Sequence, residues 1–360
     1  MYDELNLKIN QLKEAIKEKN GNDPYGYNSN CKNRGINKII YGTPGCGKSF
    51  YLDRTILPNL DIINDPDHRI RTIFFSDYSN SDFIGQIYPH IQSDKTVEYV
   101  FKPGPFTIAL EQAILNIDQP VALIIEEINR GDAASIFGEI FQLLDRDEEG
   151  KSRYGITNPA IQDYLTSRFK EMNIEFKDVR IPRNLFIFAT MNTSDQGVYA
   201  LDTAFKRRWR YERVPNEFTA SHRYQSKLVP GINKAAYQWN DFVNTVNSFI
   251  RQMDDIPNAD DKQIGVYFVE EDMLIESPEQ DSENVRLDFA FKVLEYLWND
   301  VSKMDHSLIF NPQIHSLDEL IAYYKRGDNV FNDSVSLAME QEKKRRINGS
   351  EINEDGPSNV

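Results

Sequence analysis

The sequence predicts an α/β fold in which a parallel sheet flanked by helices is followed by a mostly helical region. Short apolar runs alternate with helical patterns from about residue 36 to residue 214, as expected when helices cover a parallel sheet. The first run leads into a glycine-rich turn, and two later runs end in polar side chains. After about residue 216 helical patterns dominate.

The segment before the first strand, residues 1–35, is predicted to form one helix and a linker. Leu5, Ile9, Leu12 and Ile16 recur at helical spacing, and a polar stretch follows them. The helix is expected either to pack against its own domain or to dock a partner.

Five apolar runs are the predicted strands of the sheet. In chain order they are NKIIYG, RTIFFS, PVALIIEE, NLFIFATMN and RYERV. The segment QIYPHIQSDKTVEYVFKPGPF carries turn residues and is expected to form a hairpin or a projecting loop. These patterns divide the chain into an α/β domain over 36–215, a mostly helical domain over 216–333 and a disordered tail over 334–360.

The turn YGTPGCGKSF has the pattern of a phosphate-binding loop. Gly42, Gly45 and Gly47 can adopt backbone angles that turn successive N–H groups toward an anion. The helix that follows points its positive end at the same place. Lys48 is expected to reach the β- and γ-phosphates, and the Ser49 hydroxyl to bind Mg²⁺. The predicted nucleotide-binding residues are Gly42, Thr43, Pro44, Gly45, Cys46, Gly47, Lys48, Ser49 and Phe50.

The run PVALIIEE is predicted to be a buried strand that delivers two acids at its carboxyl end. Ligands of parallel sheets bind beyond the carboxyl ends of the strands. Glu126 is expected to join Ser49 in the Mg²⁺ shell, and Glu127 to orient or deprotonate an attacking water. The alternative is a strand that ends in solvent with two exposed acids.

The run NLFIFATMNTSD repeats this layout and ends in Asn192 and Asp195. An asparagine at this edge can position a water beside the γ-phosphate without adding charge. The alternative is ordinary turn chemistry, which Asn, Thr, Ser and Asp favour at the end of any strand.

The segment ALDTAFKRRWRYERV concentrates arginines. Arg207 and Arg208 are candidates for stabilising the γ-phosphate of a neighbouring subunit, because a rigid guanidinium suits that role. The alternative is a basic surface run that pairs with nearby acids. Arg130 is either a second group that acts across the interface or the partner of Asp132 in a salt bridge.

The bulk composition limits the classes of function. A net charge of −15 argues against a broad basic surface for DNA. No apolar run reaches the length of a membrane span, and the start lacks the layout of a signal peptide. Only two cysteines occur, so that no structural disulfide is expected and the protein is predicted to be cytoplasmic.

Together these motifs resemble the AAA+ domain of the McrB family, whose members are P-loop NTPases. The strings that carry the resemblance are GTPGCGKS, EEINRGDAASIFGEIFQLLD, MNTSD and ALDTAFKRRW, in the order of the family. Further similar strings are FFSDYSNSDFIGQIYP, YVFKPGPF, QIGVYF and VLEYLWND, so that the resemblance covers about residues 36–310.

The resemblance implies a ring-forming protein, usually a hexamer, with nucleotide at the subunit interfaces. Family members prefer GTP and act with an McrC-like partner that stimulates hydrolysis and carries the nuclease of a restriction system. Asn192 and Asp195 fall on the signature motif of the family, and Arg130 on its EINR string. DNA would be contacted through partners, because 35 residues are too few for a recognition domain ahead of the motor.

Three positions depart from the family pattern. Glu126 stands where the family has aspartate, Gln196 where it usually has arginine, and Val266 where it often has histidine. The first suggests slower hydrolysis, and the charge that is missing at the second is expected to come from Arg207 or Arg208. Three functions therefore stay open: a GTP-hydrolysing motor of an anti-phage restriction complex, an ATP-dependent MoxR-like remodelling chaperone, and a nucleotide-gated assembly scaffold with little turnover.

Overall fold

A computed structural model describes most of the chain. The described residues are 25, 31–91, 95–172, 174–193, 198–219, 222–232, 237–252 and 259–354. Their contacts divide the chain into two units. The first unit contains the described residues up to Tyr41 together with Lys48–Arg213, and the second contains Gly42–Gly47 and the residues from Val214 onward. The chain thus passes from one unit to the other inside the glycine-rich turn.

The first unit is built on a five-stranded sheet and a separate hairpin. The described strands are β1 (Asn37–Gly42), β2 (Arg69–Ile73), β3 (Gly85–Ile91), β4 (Val97–Pro103), β5 (Val121–Glu126), β6 (Leu185–Asn192) and β7 (Arg210–Arg213). The order across the large sheet is β2-β5-β6-β1-β7, and the pairs β2–β5, β5–β6 and β1–β7 are parallel. Residues Val121–Ile125 are all buried, as expected of a central strand covered on both faces. The predicted parallel α/β sheet is therefore confirmed, and all five predicted strands belong to it.

Helices and short 3₁₀ turns connect these strands. The helices of the first unit are α1 (Lys48–Tyr51, continued by Leu52–Ile56 and Leu57–Asn59), α2 (Asn80–Ile84), α3 (Pro105–Leu115), α4 (Ala133–Phe137), α5 (Pro159–Arg168) and α6 (Thr203–Lys206). The 3₁₀ turns are Ile128–Arg130, Gly138–Leu144 and Lys170–Met172. The core of the unit contains an aromatic cluster in which the ring of Phe83 lies 5.4 Å from Phe74 and 5.0 Å from Phe137.

The antiparallel strands β3 and β4 form the predicted hairpin. Ile87, Pro89 and Ile91 alternate along one face of β3, and they pair with Phe101, Tyr99 and Val97 of β4. This apolar face is largely exposed: Ile91 retains 69% of its accessible surface and Tyr99 retains 73%.

The second unit is helical around a separate core. Its helices are α7 (Trp239–Gln252), α8 (Glu283–Phe289, continued by Ala290–Leu294), Leu297–Val301, α9 (Leu317–Lys325) and α10 (Asp333–Glu354), with 3₁₀ turns at Ala259–Lys262, Glu271–Met273, Pro278–Gln280 and His306–Leu308. In its interior the rings of Trp239 and Phe242 stack, and Phe289 meets both of them edge to face. Among the described residues, no helix combines the length and the apolar character that a membrane crossing requires.

The C-terminal segment differs from the predicted disordered tail. Residues 333–354 form α10, which packs against α7, and Val335 and Met339 on one face of α10 are buried. These two buried residues lie near the start of the helix. The sequence just after them, QEKKRR, is charged, so that the helical spacing of apolar residues is short. The helix predicted near the N-terminus lies outside the described residues. The predicted domain boundaries stay predictions.

Candidate functional site

A chain of hydrogen bonds joins the lysine of the glycine-rich turn to the acids after β5. Lys48 is buried at the start of α1, and its Nζ donates to Oδ1 of Asn192. The amide Nδ2 of Asn192 donates to both carboxylate oxygens of Glu127, at 2.8 and 3.0 Å. The two residues expected to position an attacking water are therefore in direct contact.

The sheet explains why these side chains meet. β5 and β6 are parallel neighbours, so that their carboxyl ends lie at the same edge. Glu127 has a left-handed backbone, with φ 54° and ψ 50°, which is rare for a residue other than glycine. Its N–H donates to Oγ1 of Thr190 at 3.1 Å, and Nδ2 of Asn129 donates to the carbonyl of Asn192 at 2.7 Å. Strained backbone of this kind is concentrated at functional sites.

Glu126 and Ser49 form the second part of the site. Oγ of Ser49 donates to Oε2 of Glu126 at 3.1 Å, and Oγ1 of Thr190 donates to the same oxygen. A hydroxyl and a carboxylate are the hard oxygen ligands that Mg²⁺ prefers. No group of three or more His, Cys, Asp and Glu side chains that could hold a metal occurs in the described parts of the chain.

The glycine-rich turn itself lies in the second unit, where the loop Gly265–Phe268 braces it. Gly45 and Gly47 have φ of 74° and 89°, which glycine adopts without strain. The N–H of Tyr267 donates to the carbonyl of Gly45 at 2.8 Å. A side chain at Gly265 would overlap the carbonyl groups of Pro44 and Gly45. The backbone of the turn is therefore held by contacts that need glycine on both sides.

An aromatic stack supports this brace. The ring of Tyr267 lies against Gly47, where an added Cβ would be 2.9 Å from Cδ2 of the tyrosine. His222 stacks on Tyr267 with ring centroids 4.4 Å apart, and its Nε2–H donates to the carbonyl of Val266 at 2.9 Å. Burial lowers the pKa of His222 below its usual value, and the imidazole is therefore neutral near pH 7.

The other predicted residues of the turn differ in exposure. Thr43 and Cys46 are buried, and the N–H of Cys46 donates to the carbonyl of Thr43 at 3.2 Å. Phe50 is 55% exposed and lies 5.9 Å from the guanidinium of Arg54.

The candidate arginines have different surroundings. Arg208 is paired with Asp145 at 2.7 Å, covers the ring of Phe141 at 4.0 Å and keeps only 9% of its side chain exposed. Arg207 is exposed and its side chain makes no hydrogen bond or ion pair with the described residues. Nε of Arg130 lies 3.5 Å from Oε2 of Glu127, whereas Asp132 caps α4. Asp195 lies outside the described residues.

Sequence reasoning gave no role to several residues described above. In the first unit they are Asn129 and Thr190, and around the glycine-rich turn of the second unit they are His222, Gly265 and Tyr267. Asn129 is next to Arg130 in the EINR string and Thr190 is two residues before Asn192, so that both could have been found by extending the motifs. Gly265 and Tyr267 lie in the string QIGVYF, but their contacts with the turn, like that of His222 with Tyr267, join distant parts of the sequence.

Comparison with known proteins adds the following relations. Residues 37–209 match the family model described as AAA domain (dynein-related subfamily). The chain is 36% identical over 329 residues to the type II restriction enzyme BsuMI component YdiS of Bacillus subtilis, with 83% of this chain and 88% of that protein covered. It is 29% identical over 176 residues to the type IV methyl-directed restriction enzyme EcoKMcrB subunit of Escherichia coli, which covers 49% of this chain and 34% of that protein. A solved structure from Cytophaga hutchinsonii aligns over 99% of both chains with 13% identity and a TM-score of 0.26.

Proposed function

This chain belongs to the McrB-like AAA+ family of P-loop NTPases, which is related to components of restriction systems, and from that premise we propose that it hydrolyses GTP as the motor subunit of a restriction complex. The observation that carries the proposal is the contact chain Lys48–Asn192–Glu127 beside the pair Ser49–Glu126. These contacts bring together a cation that can bind phosphate, a candidate base that can accept a proton from water, and two oxygen ligands for Mg²⁺.

Each side chain then has a defined task. Lys48 neutralises charge that develops on the transferred phosphate. Glu127 accepts the proton of the attacking water, and Asn192 fixes the orientation of that carboxylate. Ser49 and Glu126 hold Mg²⁺, which supplies further charge neutralisation when it is bound. The backbone N–H groups of Gly45–Lys48 hold the phosphates.

We propose further that the chain forms a ring, as a hexamer, and that a neighbouring subunit completes the site. Arg207 and Arg130 are the candidates for the group that acts across the interface, because both are exposed. An McrC-like nuclease is the proposed partner, and DNA would be contacted through such partners. The relatives support this part of the proposal, since both are described as a component or a subunit of a restriction enzyme.

Initial rates of GTP and ATP hydrolysis test the proposal. They should be measured for the purified chain alone and with an McrC-like nuclease added, using Glu127→Gln as the inactive control. We expect GTP to be the better substrate and the partner to raise the rate. A strong preference for ATP would contradict the proposal and favour a MoxR-like remodelling ATPase.

One observation favours a second candidate, a nucleotide-gated assembly scaffold with little turnover. Glu126 replaces the family's aspartate and is held by three side chains, from Ser49, Arg71 and Thr190. Rates that stay at background with the partner present, while nucleotide still drives assembly, would support the scaffold.

A further inference from the structure

Arg71 on β2 binds two carboxylates at once. One terminal nitrogen, Nη1, is paired with Oε1 of Glu126, and the other, Nη2, lies 2.6 Å from Oδ1 of Asp53. We infer that Arg71 is a positioning residue, which holds Glu126 in the orientation needed for the metal shell. This inference rests on the proposed function, because it assigns Glu126 to Mg²⁺.

The two oxygens of Glu126 face different partners. Oε2 receives the hydroxyls of Ser49 and Thr190, and Oε1 faces Arg71. A guanidinium presents its N–H groups in a rigid plane, so that a carboxylate bound to it has a fixed direction. The ion pair with Arg71 therefore keeps Oε2 beside Ser49, the other predicted ligand of the metal.

This support matters because residue 126 is a glutamate. Glutamate has one more rotatable bond than aspartate, and fixing it costs more side-chain entropy. The guanidinium of Arg71, on the neighbouring strand β2, can fix the longer side chain. Ile73 pairs with Glu126 in the sheet, and Arg71 lies two residues earlier on the same face of β2.

Asp53 fixes Arg71 in turn. It lies four residues after Ser49 in the helical segment that starts at Lys48. The three charged side chains therefore join α1, β2 and β5 at the edge where Ser49 and Glu126 meet. Glu126 keeps 16% of its side chain exposed and Arg71 keeps 39%, so that the carboxylate is better shielded from solvent than the guanidinium.

A positioning role and a simple charge effect predict opposite results. If Arg71 acted only as a cation near the metal, its removal would tighten Mg²⁺ binding, and lysine would replace it. If Arg71 positions Glu126, its removal weakens Mg²⁺ binding. Lysine does not restore the binding, because an ammonium lacks the planar N–H groups of a guanidinium.

The test is the Mg²⁺ dependence of nucleotide binding in the full chain. Binding of a nonhydrolysable GTP analogue is measured by calorimetry over a series of Mg²⁺ concentrations, and repeated with the ATP analogue. We expect Arg71→Ala and Arg71→Lys both to raise the half-saturating Mg²⁺ concentration, by about tenfold, the size of one hydrogen bond to a charged group. Arg69→Ala is the matched control, since Arg69 lies on the same strand and contacts the carbonyls of Ile62 and Ile63.

A second background makes the inference specific. The shorter side chain of Glu126→Asp no longer needs the Arg71 guanidinium to hold it. Adding Arg71→Ala to this variant should therefore change the half-saturating Mg²⁺ concentration by less than about twofold. Thermal unfolding without nucleotide shows which variants are folded. If Arg71→Ala is not folded, Arg71→Lys takes its place in the binding measurement. The inference would be overturned if the half-saturating Mg²⁺ concentration of Arg71→Lys equalled that of the wild type, or if that of Arg71→Ala were lower. It would also be overturned if Arg71→Ala had equal effects in the wild type and in Glu126→Asp. Wild-type protein that binds neither analogue in a Mg²⁺-dependent way would overturn the proposed function and this inference with it.

Discussion

Asn192 donates its side-chain amide to both carboxylate oxygens of Glu127, at 2.8 and 3.0 Å. The oxygen of the same amide accepts from Lys48. A neutral side chain therefore bridges the cation and the candidate base, and its amide orients the carboxylate of Glu127.

Replacing Asn192 by aspartate should remove the orientation of Glu127. The new carboxylate would repel Glu127 and draw Lys48 into an ion pair, so that kcat falls by about 100-fold, a typical size for a lost general-base contribution. Single-turnover hydrolysis gives this rate, and binding of a nonhydrolysable analogue serves as the control. A kcat within twofold of the wild-type value would show that the contact has no role in hydrolysis.

Arg207 and Arg208 are adjacent but should respond differently to alanine. Arg208→Ala removes an ion pair with Asp145 and a cation–π contact with Phe141, and should lower the free energy of unfolding by about 2–4 kcal/mol. Arg207→Ala should change the same quantity by less than about 0.5 kcal/mol, because the side chain is exposed.

Urea unfolding measures the stability of both variants, and hydrolysis by the assembled protein measures activity. Arg207→Ala should reduce hydrolysis only when the subunits are assembled, since the arginine would act on a neighbouring site. Equal loss of stability in the two variants would contradict the different surroundings of these arginines.

Gly265 should tolerate no side chain. An added Cβ would overlap the backbone of Pro44 and Gly45, and Gly265→Ala should cost about 1–3 kcal/mol and weaken nucleotide binding by displacing the turn. Glu270→Ala is the control, because Glu270 is exposed in the same part of the chain. Wild-type binding of the nucleotide analogue by Gly265→Ala would show that the brace does not hold the turn.

Stability of the second unit should depend on pH through His222. Its folded-state pKa is lowered by burial, so that the unfolded chain takes up the proton first as pH falls below about 6.5. The free energy of unfolding should therefore be complete above pH 6.5 and decrease below it, with a slope of at most about 1.4 kcal/mol per pH unit for one proton.

Urea unfolding between pH 5 and pH 8 measures this slope in the wild type and in His222→Gln. Burial also lowers the pKa of His306, which stacks on Trp298, so His306→Gln is the comparison variant. A wild-type slope unchanged in His222→Gln would assign the pH dependence to other groups.

The sequence was informative where chemistry is local. The five apolar runs correspond to the five strands of the sheet, and the motifs identified the family, which the comparisons confirm. The contact of Asn192 with Glu127 follows from two parallel strands that end at the same edge, although the sequence alone does not show that β5 and β6 are neighbours.

What the sequence missed depends on contacts between distant segments. Arg71 reads as an ordinary strand residue until β2 is placed beside β5. Gly265 and Tyr267 belong to the string QIGVYF, and only the structure shows that this string contacts the glycine-rich turn. The helix α10 was missed because two buried residues, Val335 and Met339, are few among charged neighbours. The roles of the individual site residues and the domain boundaries stay predictions.

Binding of a nonhydrolysable GTP analogue with Mg²⁺ to the wild type and to Lys48→Ala tests the central claim most directly. Nζ of Lys48 donates to Oδ1 of Asn192, and removing this side chain leaves the phosphates without its charge. Calorimetry should show one site per wild-type chain and an affinity at least about 100-fold lower in Lys48→Ala, roughly the loss of two charge-assisted hydrogen bonds. Equal affinity in the two proteins would contradict the assignment of the glycine-rich turn as the phosphate-binding loop.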